Sequence, residues 1–440
     1  MPDTTQTKGR HYRTLVLVLL TLIYAFNFID RQIIGILSPF IQADLGLSNS
    51  QLGLLKGFLF ALFYTVIGLP IAWLADRYNR VNIVSIALAT WSGFTALTGM
   101  ANSFLTIGLA RMGVGVGEAG GSPPSHSIIS DLYPKEERAA ALGFYSLGIP
   151  LGLGFAYLLT GFLLGNPDNG MSWRTLLIAL GLTGIGLAVL TRLIVREPER
   201  GIQERTGQSN IKQRPFAEAL KTLLSIPSWW AMCLGIAFAS FTGYAISTWQ
   251  MDYLLPFDGA QTAPVGFKNI MYILAFSNCV IYGAGTYFGG WLTQKMAKRS
   301  VSYYGYVPAV SLLICLPLVI LAFWVSTSLL HLIVGGVLLF FLGMYLGPSF
   351  AIAQTLAPIN MRAMSTAIFF LVLNLIALGG GPTSVGFLAD YFKEAHGQVH
   401  AIRLSLTIVS FMLVASVVCF LIVAKTLPKD WAVAEKRNEG

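Results

Sequence analysis

Long apolar runs occupy most of this chain, each close to the ~20 residues that an α-helix needs to cross a bilayer. About twelve runs can be distinguished. They lie at about 14–40, 51–75, 82–101, 104–130, 138–163, 173–195, 229–255, 270–292, 303–325, 328–357, 363–389 and 402–424. Charged residues make up 11% of the chain, against about 25% in soluble domains. Because strand-type alternation is absent, the runs predict an all-α membrane protein with twelve transmembrane helices.

Basic residues are concentrated at both termini and in every second loop. The other loops carry few: Arg174, Lys268, Lys393 and Arg403. This asymmetry predicts that both termini are cytoplasmic, in a multi-pass protein of the cell membrane. It also explains the net charge of +9 without a nucleic-acid partner, and we expect a monomer among membrane lipids. Lys56, near the outer end of the second run, is expected to snorkel to the membrane surface.

Two halves of the chain repeat each other. A polar stretch near the midpoint predicts a cytoplasmic linker at 197–225 between halves at 1–196 and 226–440. Four residues recur at an offset of 224 positions: Pro124, Pro134, Arg138 and Ala139 return as Pro348, Pro358, Arg362 and Ala363. Six spans return the chain to the same side, so the halves are parallel repeats that can rock around a midplane site.

The loop after the second run carries a recognisable motif. It reads Gly68-Leu-Pro-Ile-Ala72-Trp-Leu-Ala-Asp76-Arg77-Tyr-Asn79-Arg80 and resembles the loop motif of the major facilitator superfamily, with Ala72 and Asn79 in place of two glycines. The fifth run contains Gly148-Ile-Pro150-Leu-Gly152-Leu-Gly154, which resembles the Gly-Pro-rich motif of superfamily antiporters. The resemblance implies the major facilitator fold, with two pseudo-symmetric six-helix bundles.

Within that superfamily, the chain resembles the spinster-type lipid transporters. The resemblance rests on Asn27-Phe-Ile-Asp30-Arg31 in the first run and Arg111-Met-Gly-Val-Gly-Val-Gly-Glu118-Ala in the fourth. It implies a sphingolipid or lysophospholipid substrate. Asp-Arg in the first span also occurs in organic-anion symporters, so that alternative stays open.

The same segments place four charges inside apolar runs, where a charge costs at least ~2.5–3.5 kcal/mol on insertion scales. Arg111 and Glu118 are seven positions apart, which is about 10.5 Å along nearly one helix face. Arg31 and Asn27 share a face of the first run. The superfamily resemblance implies that the first and fourth spans meet at the cavity.

We predict that Asp30 and Glu118 carry coupling protons and that Asn27, Arg31 and Arg111 bind substrate. A guanidinium matches the geometry of phosphate or carboxylate, and a substrate bound there would change the proton affinity of both carboxyl groups. The other interpretation is that the four charges neutralise one another and hold two helices together. Buried ion pairs add little stability over apolar residues, which favours the functional role.

In the second half, we expect no charged residues within the apolar runs like the four of the first half. Tyr244, Trp249 and Asn374 are therefore predicted to bind the uncharged part of the substrate, although ordinary helix packing would also explain them. Other polar or aromatic side chains of this kind are Thr248, Tyr282 and Gln354.

Charged residues of the loops in the first half predict a cytoplasmic gate. These residues are Asp76, Arg77, Arg80, Glu136 and Arg138. Surface pairs of this kind contribute ~0–1 kcal/mol each, so anchoring at the membrane is the simpler explanation. The superfamily resemblance favours a latch, with Asp76 and Arg138 as partners that separate when the halves rock.

The sequence thus predicts a proton-coupled secondary transporter of a lysolipid or sphingolipid-like amphiphile. A proton-coupled symporter of a small organic anion is the alternative, and a multidrug exporter is the third candidate. No nucleophile–base or metal-ligand constellation is evident, so we expect neither an enzyme nor a bound cofactor. The Gly115-Val-Gly117-Glu-Ala-Gly120 stretch matches a dinucleotide fingerprint but does not follow a strand, so we interpret it as close helix packing.

Overall fold

The computed structural model describes residues 4–75, 77–165, 171–199, 221–358 and 362–439. Within these ranges all regular secondary structure is helical, and eleven helical segments are long and apolar enough to cross a membrane. The predicted all-α membrane fold is confirmed. Chain contacts define two compact units: Met1–Leu47 with Leu59–Ser209, and Ser48–Phe58 with Asn210–Gly440. The cytoplasmic position of both termini stays a prediction from the loop charges.

Among its described residues, the first unit contains eight helices. Several of them begin with a side-chain cap. At the start of α4, for example, the side-chain oxygen of Asn79 accepts a hydrogen bond from the backbone nitrogen of Asn82. The helices are α1 (Thr4–Leu45), α3 (Phe58–Ala75), α4 (Arg80–Gly99), α5 (Phe104–Glu118), α6 (Ser122–Leu132), α7 (Lys135–Ser146), α8 (Gly148–Leu164) and α9 (Trp173–Ile194).

The second unit includes α2 (Asn49–Lys56), which precedes α3 in the chain. Two of its long apolar segments contain a π-helical turn, at Ser277–Ile281 and Asn374–Gly380. Its other helices are α10 (Pro227–Gly259), α11 (Phe267–Phe276), α12 (Tyr282–Ala297), α13 (Tyr303–Trp324), α14 (Ser328–Gly343), α15 (Leu346–Leu356), α16 (Arg362–Leu373), α17 (Gly381–His396), α18 (Gln398–Ser410) and α19 (Met412–Glu439).

The predicted fourth run, at 104–130, folds as two helices rather than one. Helix α5 has 15 residues and α6 has 11, so each is shorter than the ~20 residues of a full span. They are separated at Ala119–Gly121, where two glycines precede Pro123 and Pro124. Proline lacks the N–H that would bond to the preceding turn, so a continuous helix is disfavoured here.

The glycines around Glu118 bring α5 close to its neighbours. A Cβ on Gly115 would lie 2.7 Å from the carbonyl oxygen of Phe60, and one on Gly117 would lie 2.6 Å from the backbone nitrogen of Trp91. Real Cβ atoms do not approach backbone this closely, so both positions require glycine. The predicted role of these glycines in helix packing is confirmed.

The Gly-Pro-rich motif of the fifth run has a similar packing role. A Cβ on Gly152 would lie 2.4 Å from the carbonyl oxygen of Ala25, and one on Gly148 would lie 3.0 Å from the carbonyl oxygen of Thr21. The motif therefore brings the backbone of α8 against α1, which carries two of the charged residues.

Residues 48–58 lie in the predicted N-terminal half but belong by their contacts to the second unit. The carboxylate of Asp390 accepts hydrogen bonds from the backbone nitrogens of Asn49 and Ser50, at 3.0 and 2.7 Å. The amides of Asn49 and Gln398 exchange two further bonds, at 2.7 and 3.2 Å. Helix α2 is thus anchored at its N-terminus, where a carboxylate is favourable. The predicted linker at 197–225 lies largely outside the described ranges, and the predicted domain boundaries stay predictions.

Two glycines of α9 offer a matched test of the packing between α4 and α9. A Cβ on Gly181 would lie 2.4 Å from the carbonyl oxygen of Ser92, whereas one on Gly186 meets nothing within 4 Å. Gly181→Ala should therefore lower the free energy of unfolding by about 1–3 kcal/mol through overpacking. Gly186→Ala should leave it unchanged or raise it by up to about 1 kcal/mol, because alanine favours helix. Chemical unfolding in detergent measures both; equal effects would contradict the close contact.

Candidate functional site

The structure brings together the charged residues that the sequence places on α1 and α5. The Arg31 guanidinium donates from Nε to Oε2 of Glu118 at 2.6 Å. Asp30, Arg111 and Glu118 are 1%, 3% and 1% exposed, whereas the Arg31 side chain is 14% exposed. Arg31 is therefore the most accessible member of a buried cluster of two cations and two anions.

Asp30 and Arg111 complete this cluster. Thr95 donates a hydrogen bond from its hydroxyl to Oδ1 of Asp30 at 2.8 Å. Arg111 interacts electrostatically with both Asp30 and Glu118. With both carboxyl groups ionised, the formal charges sum to zero, which lets four ionised groups share an apolar environment.

Some buried polar atoms of the cluster form no hydrogen bond with the described residues. Oδ1 of Asn27 and Nε of Arg111 are buried and have no hydrogen-bond partner among the described residues, whereas Glu118 also interacts with Asn27 and Asp30 with Trp91. Leaving such a group unpaired costs about 1–3 kcal/mol, and more for charged groups. Their concentration in one place favours a functional role for the cluster over one in stability alone.

Aromatic rings surround both guanidinium groups. The Cζ atom of Arg31 lies 4.5 Å from the ring centroid of Tyr64, 5.2 Å from that of Phe28 and 5.3 Å from that of Phe60. The Cζ atom of Arg111 lies 5.1 Å from the same Phe60 ring, so this ring contacts both cations. Phe60, Tyr64 and Thr95 could not be predicted as members of the site, because the pattern within one apolar run does not show which other helix faces it.

Tyr24 extends the aromatic surface along α1. Its ring stacks on that of Tyr145 at 4.4 Å and meets the edge of Phe28 at 5.2 Å. The spacing of Tyr24, Asn27, Phe28 and Arg31 predicts one helix face, and aromatic contacts now connect that face to the cation. The first unit thus presents an anion-binding group beside an apolar, aromatic surface.

In the second unit, the predicted substrate residues have different surroundings. Trp249 is fully buried and donates from Nε1 to the carbonyl oxygen of Pro382 at 2.9 Å. Tyr244 is half-buried on the same helix, and the five-residue separation places the two about 140° apart. Asn374 is buried where the π-helical turn of Asn374–Gly380 begins. The side chain of Gln354 lies outside the described part of the chain.

Two expectations about membrane charge are wrong, and both concern residues of the second unit. Lys56 does not snorkel: its side chain is 0% exposed, and Nζ lies 2.5 Å from Oδ2 of Asp252. The same Nζ lies 3.6 Å from the ring centroid of Trp249. Asp252 lies on α10, inside the predicted run at 229–255, so the second half of the chain does contain a charge within an apolar run. A buried carboxylate needs a cation, and Lys56 supplies it from a distant part of the sequence.

Among the predicted gate residues, Arg80 is unexpectedly buried. It forms ion pairs with Asp131 and with Oε1 of Glu197, the latter at 2.6 Å from Nε. Its Nη1 also donates to the hydroxyl of Ser127 at 2.7 Å. These contacts tie the start of α4 to α6 and to the chain after α9, all within the first unit. Asp131 and Glu197 were not among the residues predicted to form the gate.

The other gate residues are placed only in part. Arg77 stacks on the ring of Trp73 at 4.0 Å. Arg138 donates from Nη2 to the carbonyl oxygen of Ser130 at 2.8 Å. Asp76 and the side chain of Glu136 lie outside the described part of the chain. The latch between Asp76 and Arg138 stays a prediction.

A family model described as Major Facilitator Superfamily matches residues 20–382. The chain belongs to the Major Facilitator Superfamily. A solved bacterial homologue of the human lysosomal transporter Spinster, crystallised inward-facing and unoccupied, is 30% identical, with a TM-score of 0.86. That comparison covers 95% of this chain and 98% of the homologue. The predicted resemblance to spinster-type transporters is confirmed, and family and fold are those of multi-pass membrane transporters.

The curated relatives that this chain matches in sequence differ in function. An MFS-type efflux pump of Mycolicibacterium smegmatis is 29% identical over 93% of this chain and 92% of the relative. Protein spinster homolog 1 of Xenopus tropicalis is 28% identical over 98% of this chain and 85% of the relative. The sphingosine-1-phosphate transporter SPNS2 of Danio rerio is 26% identical over 93% of this chain and 84% of the relative. A probable L-galactonate transporter of Escherichia coli is 26% identical over 67% of this chain and 65% of the relative.

A double-mutant cycle tests the buried pair of the second unit. Lys56→Met should lower the free energy of unfolding by about 3–5 kcal/mol, because Asp252 loses its cation while it stays buried. Replacing both residues, as Lys56→Met with Asp252→Leu, should recover most of that loss. Lys268→Met, at an exposed lysine of the same unit, is the control. Chemical unfolding in detergent gives all values; a single Lys56 variant as stable as the control would show that the pair contributes nothing.

Proposed function

We propose that this protein is a proton-coupled secondary transporter of an anionic lysolipid or sphingolipid-like amphiphile, working by alternating access. The observation that carries the proposal is the 2.6 Å bond between Arg31 and Glu118 beside an aromatic surface. It supplies an anion-binding group, a carboxyl group that can take up a proton, and a direct connection between them.

Competition for Arg31 supplies the coupling. A substrate phosphate or carboxylate and the ionised Glu118 require the same guanidinium. Protonation of Glu118 removes its charge and releases Arg31, so proton binding and anion binding favour each other. By linkage this effect is reciprocal, and it favours transport of the proton and the anion together.

The aromatic surroundings support an amphiphile rather than a small polar solute. Phe28, Phe60 and Tyr64 lie beside the cations, where they suit the apolar chain next to an anionic headgroup. The similarity to a sphingosine-1-phosphate transporter points in the same direction. We place the protein in the cell membrane with both termini cytoplasmic, and we expect a monomer with no cofactor beyond the coupling proton.

A symporter of a small organic anion is the second candidate. The two arginines would bind a carboxylate equally well, and one relative is a probable L-galactonate transporter. Export of drugs is the third, since another relative is an efflux pump. Thermal-shift screening of the purified protein against lysolipids, sphingoid bases and organic acids separates these, because stabilisation follows affinity. An organic acid that stabilises the protein more than any lipid would favour the second candidate.

Glu118→Gln should abolish proton coupling while the fold is retained. Glutamine keeps the shape and the acceptor oxygen of glutamate but cannot titrate. We expect purified wild-type protein to take up protons when substrate binds, and we expect this uptake to disappear in the variant. Asp30→Asn should have a weaker effect, since Asp30 bonds to Thr95 rather than to Arg31. Proton uptake measured during substrate titration tests this; unchanged uptake in Glu118→Gln would exclude Glu118 as the proton site.

Arg31→Ala and Arg111→Ala should weaken binding of anionic amphiphiles far more than that of uncharged analogues. A charge-assisted hydrogen bond contributes about 1.5–3 kcal/mol, so the loss should be about tenfold or more. Arg31→Ala with Glu118→Gln controls for the carboxylate that the single variant leaves without its cation. Equal losses for charged and uncharged ligands, measured by calorimetry, would mean that the arginines only hold the carboxylates in place.

A further inference from the structure

A groove between α4 and α9 lies outside the cluster around Arg31. It has a volume of about 400 Å³ and is lined at one end by Asn82, Ser85 and Arg192, and further along by Ile86, Ala89 and Val189. Asn82 and Ala89 are seven residues apart on α4, or about 10.5 Å along the helix axis. The groove therefore changes from polar to apolar along its length.

The polar end contains groups that the protein does not use. Oδ1 of Asn82 and the hydroxyl of Ser85 are buried and have no hydrogen-bond partner among the described residues. The exposed Arg192 in the last turn of α9 forms no ion pair within the described ranges. A bound molecule at this end would meet one exposed cation beside two oxygen acceptors that have no partner in the protein.

The apolar end is formed by side chains that face outward from the unit. Ile86 and Val189 are 66% and 56% exposed. Ala89 is small and half-buried, so it widens the space between these longer side chains. In a membrane-spanning chain, such a surface contacts acyl chains.

We propose that this groove binds a membrane phospholipid whose headgroup carries both a phosphate and a hydrogen-bond donor, as ethanolamine and glycerol headgroups do. Arg192 pairs with the phosphate, since basic pockets between helix ends bind lipid headgroups. The ammonium or hydroxyl group donates to Asn82 and Ser85. A choline headgroup has the phosphate but no donor, so it satisfies only part of the site. The acyl chain lies along Ile86 and Val189.

Lipid retention on the purified, delipidated protein tests the site. The probes are phosphatidylethanolamine, phosphatidylglycerol and phosphatidylcholine with the same acyl chains, and bound lipid is counted by native mass spectrometry. We expect wild type to retain the first two in about tenfold preference to the third, the value of a hydrogen bond or two. Soluble glycerophosphoethanolamine, which lacks the acyl chains, should neither be retained nor displace the lipid.

Variants on the groove should remove this preference. Arg192→Gln removes the cation, and Ala89→Leu fills the space for the chain. Their controls are Lys425→Gln, an exposed lysine outside the groove, and Gly143→Leu, an exposed position on α7 where a Cβ meets nothing within 4 Å. The proposal is supported if both groove variants lose the preferential retention of phosphatidylethanolamine and phosphatidylglycerol while both control variants keep it.

The proposal is overturned if both groove variants retain lipid as wild type does, because the lipid is then annular only. Equal retention of the three headgroups by wild type overturns it as well. The melting temperature of each variant is measured alongside, so that a folding defect is separated from a loss of lipid.

Discussion

Neutralisation of buried charge is the constraint on which both compact units depend. In the first unit, Arg31 and Arg111 balance Asp30 and Glu118, and in the second, Lys56 balances Asp252. An unmatched charge in either place would cost several kcal/mol. The two solutions differ in one respect. The Lys56 side chain is fully buried against Trp249, whereas the Arg31 side chain is 14% exposed and can be reached from outside the cluster. That difference makes the first cluster the better candidate for binding and coupling.

Close helix approach makes this neutralisation possible. The glycines of α5 bring Glu118 against α3 and α4, and those of α8 hold α1 in place. A larger residue at Gly115 or Gly117 would move the Glu118 carboxylate away from Arg31. The small residues and the charges are therefore parts of a single arrangement, although the sequence motif displays them as separate features.

Features local to one run could be predicted from the sequence, whereas pairings between distant runs could not. Hydrophobicity predicts the spans, because a helix in lipid must satisfy its own backbone. The charges at Arg111 and Glu118 stand out because they interrupt apolar sequence. The Lys56–Asp252 pair was missed because its partners are 196 positions apart. Asp252 alone, inside an apolar run, was the signal that a cation had to be found elsewhere. The break after Glu118 was marked by its glycines and prolines, but the length of the run concealed it.

The membership of α2 in the second unit has a consequence for biosynthesis. Residues 48–58 leave the ribosome long before Asn210–Gly440, the rest of that unit. A polypeptide beginning at the linker would lack Lys56, so Asp252 would enter the membrane without this lysine, and Asp390 would have no helix end to cap. By its contacts, the second unit is therefore complete only when a short segment that was translated much earlier, and that is continuous at both ends with the first unit, has joined it.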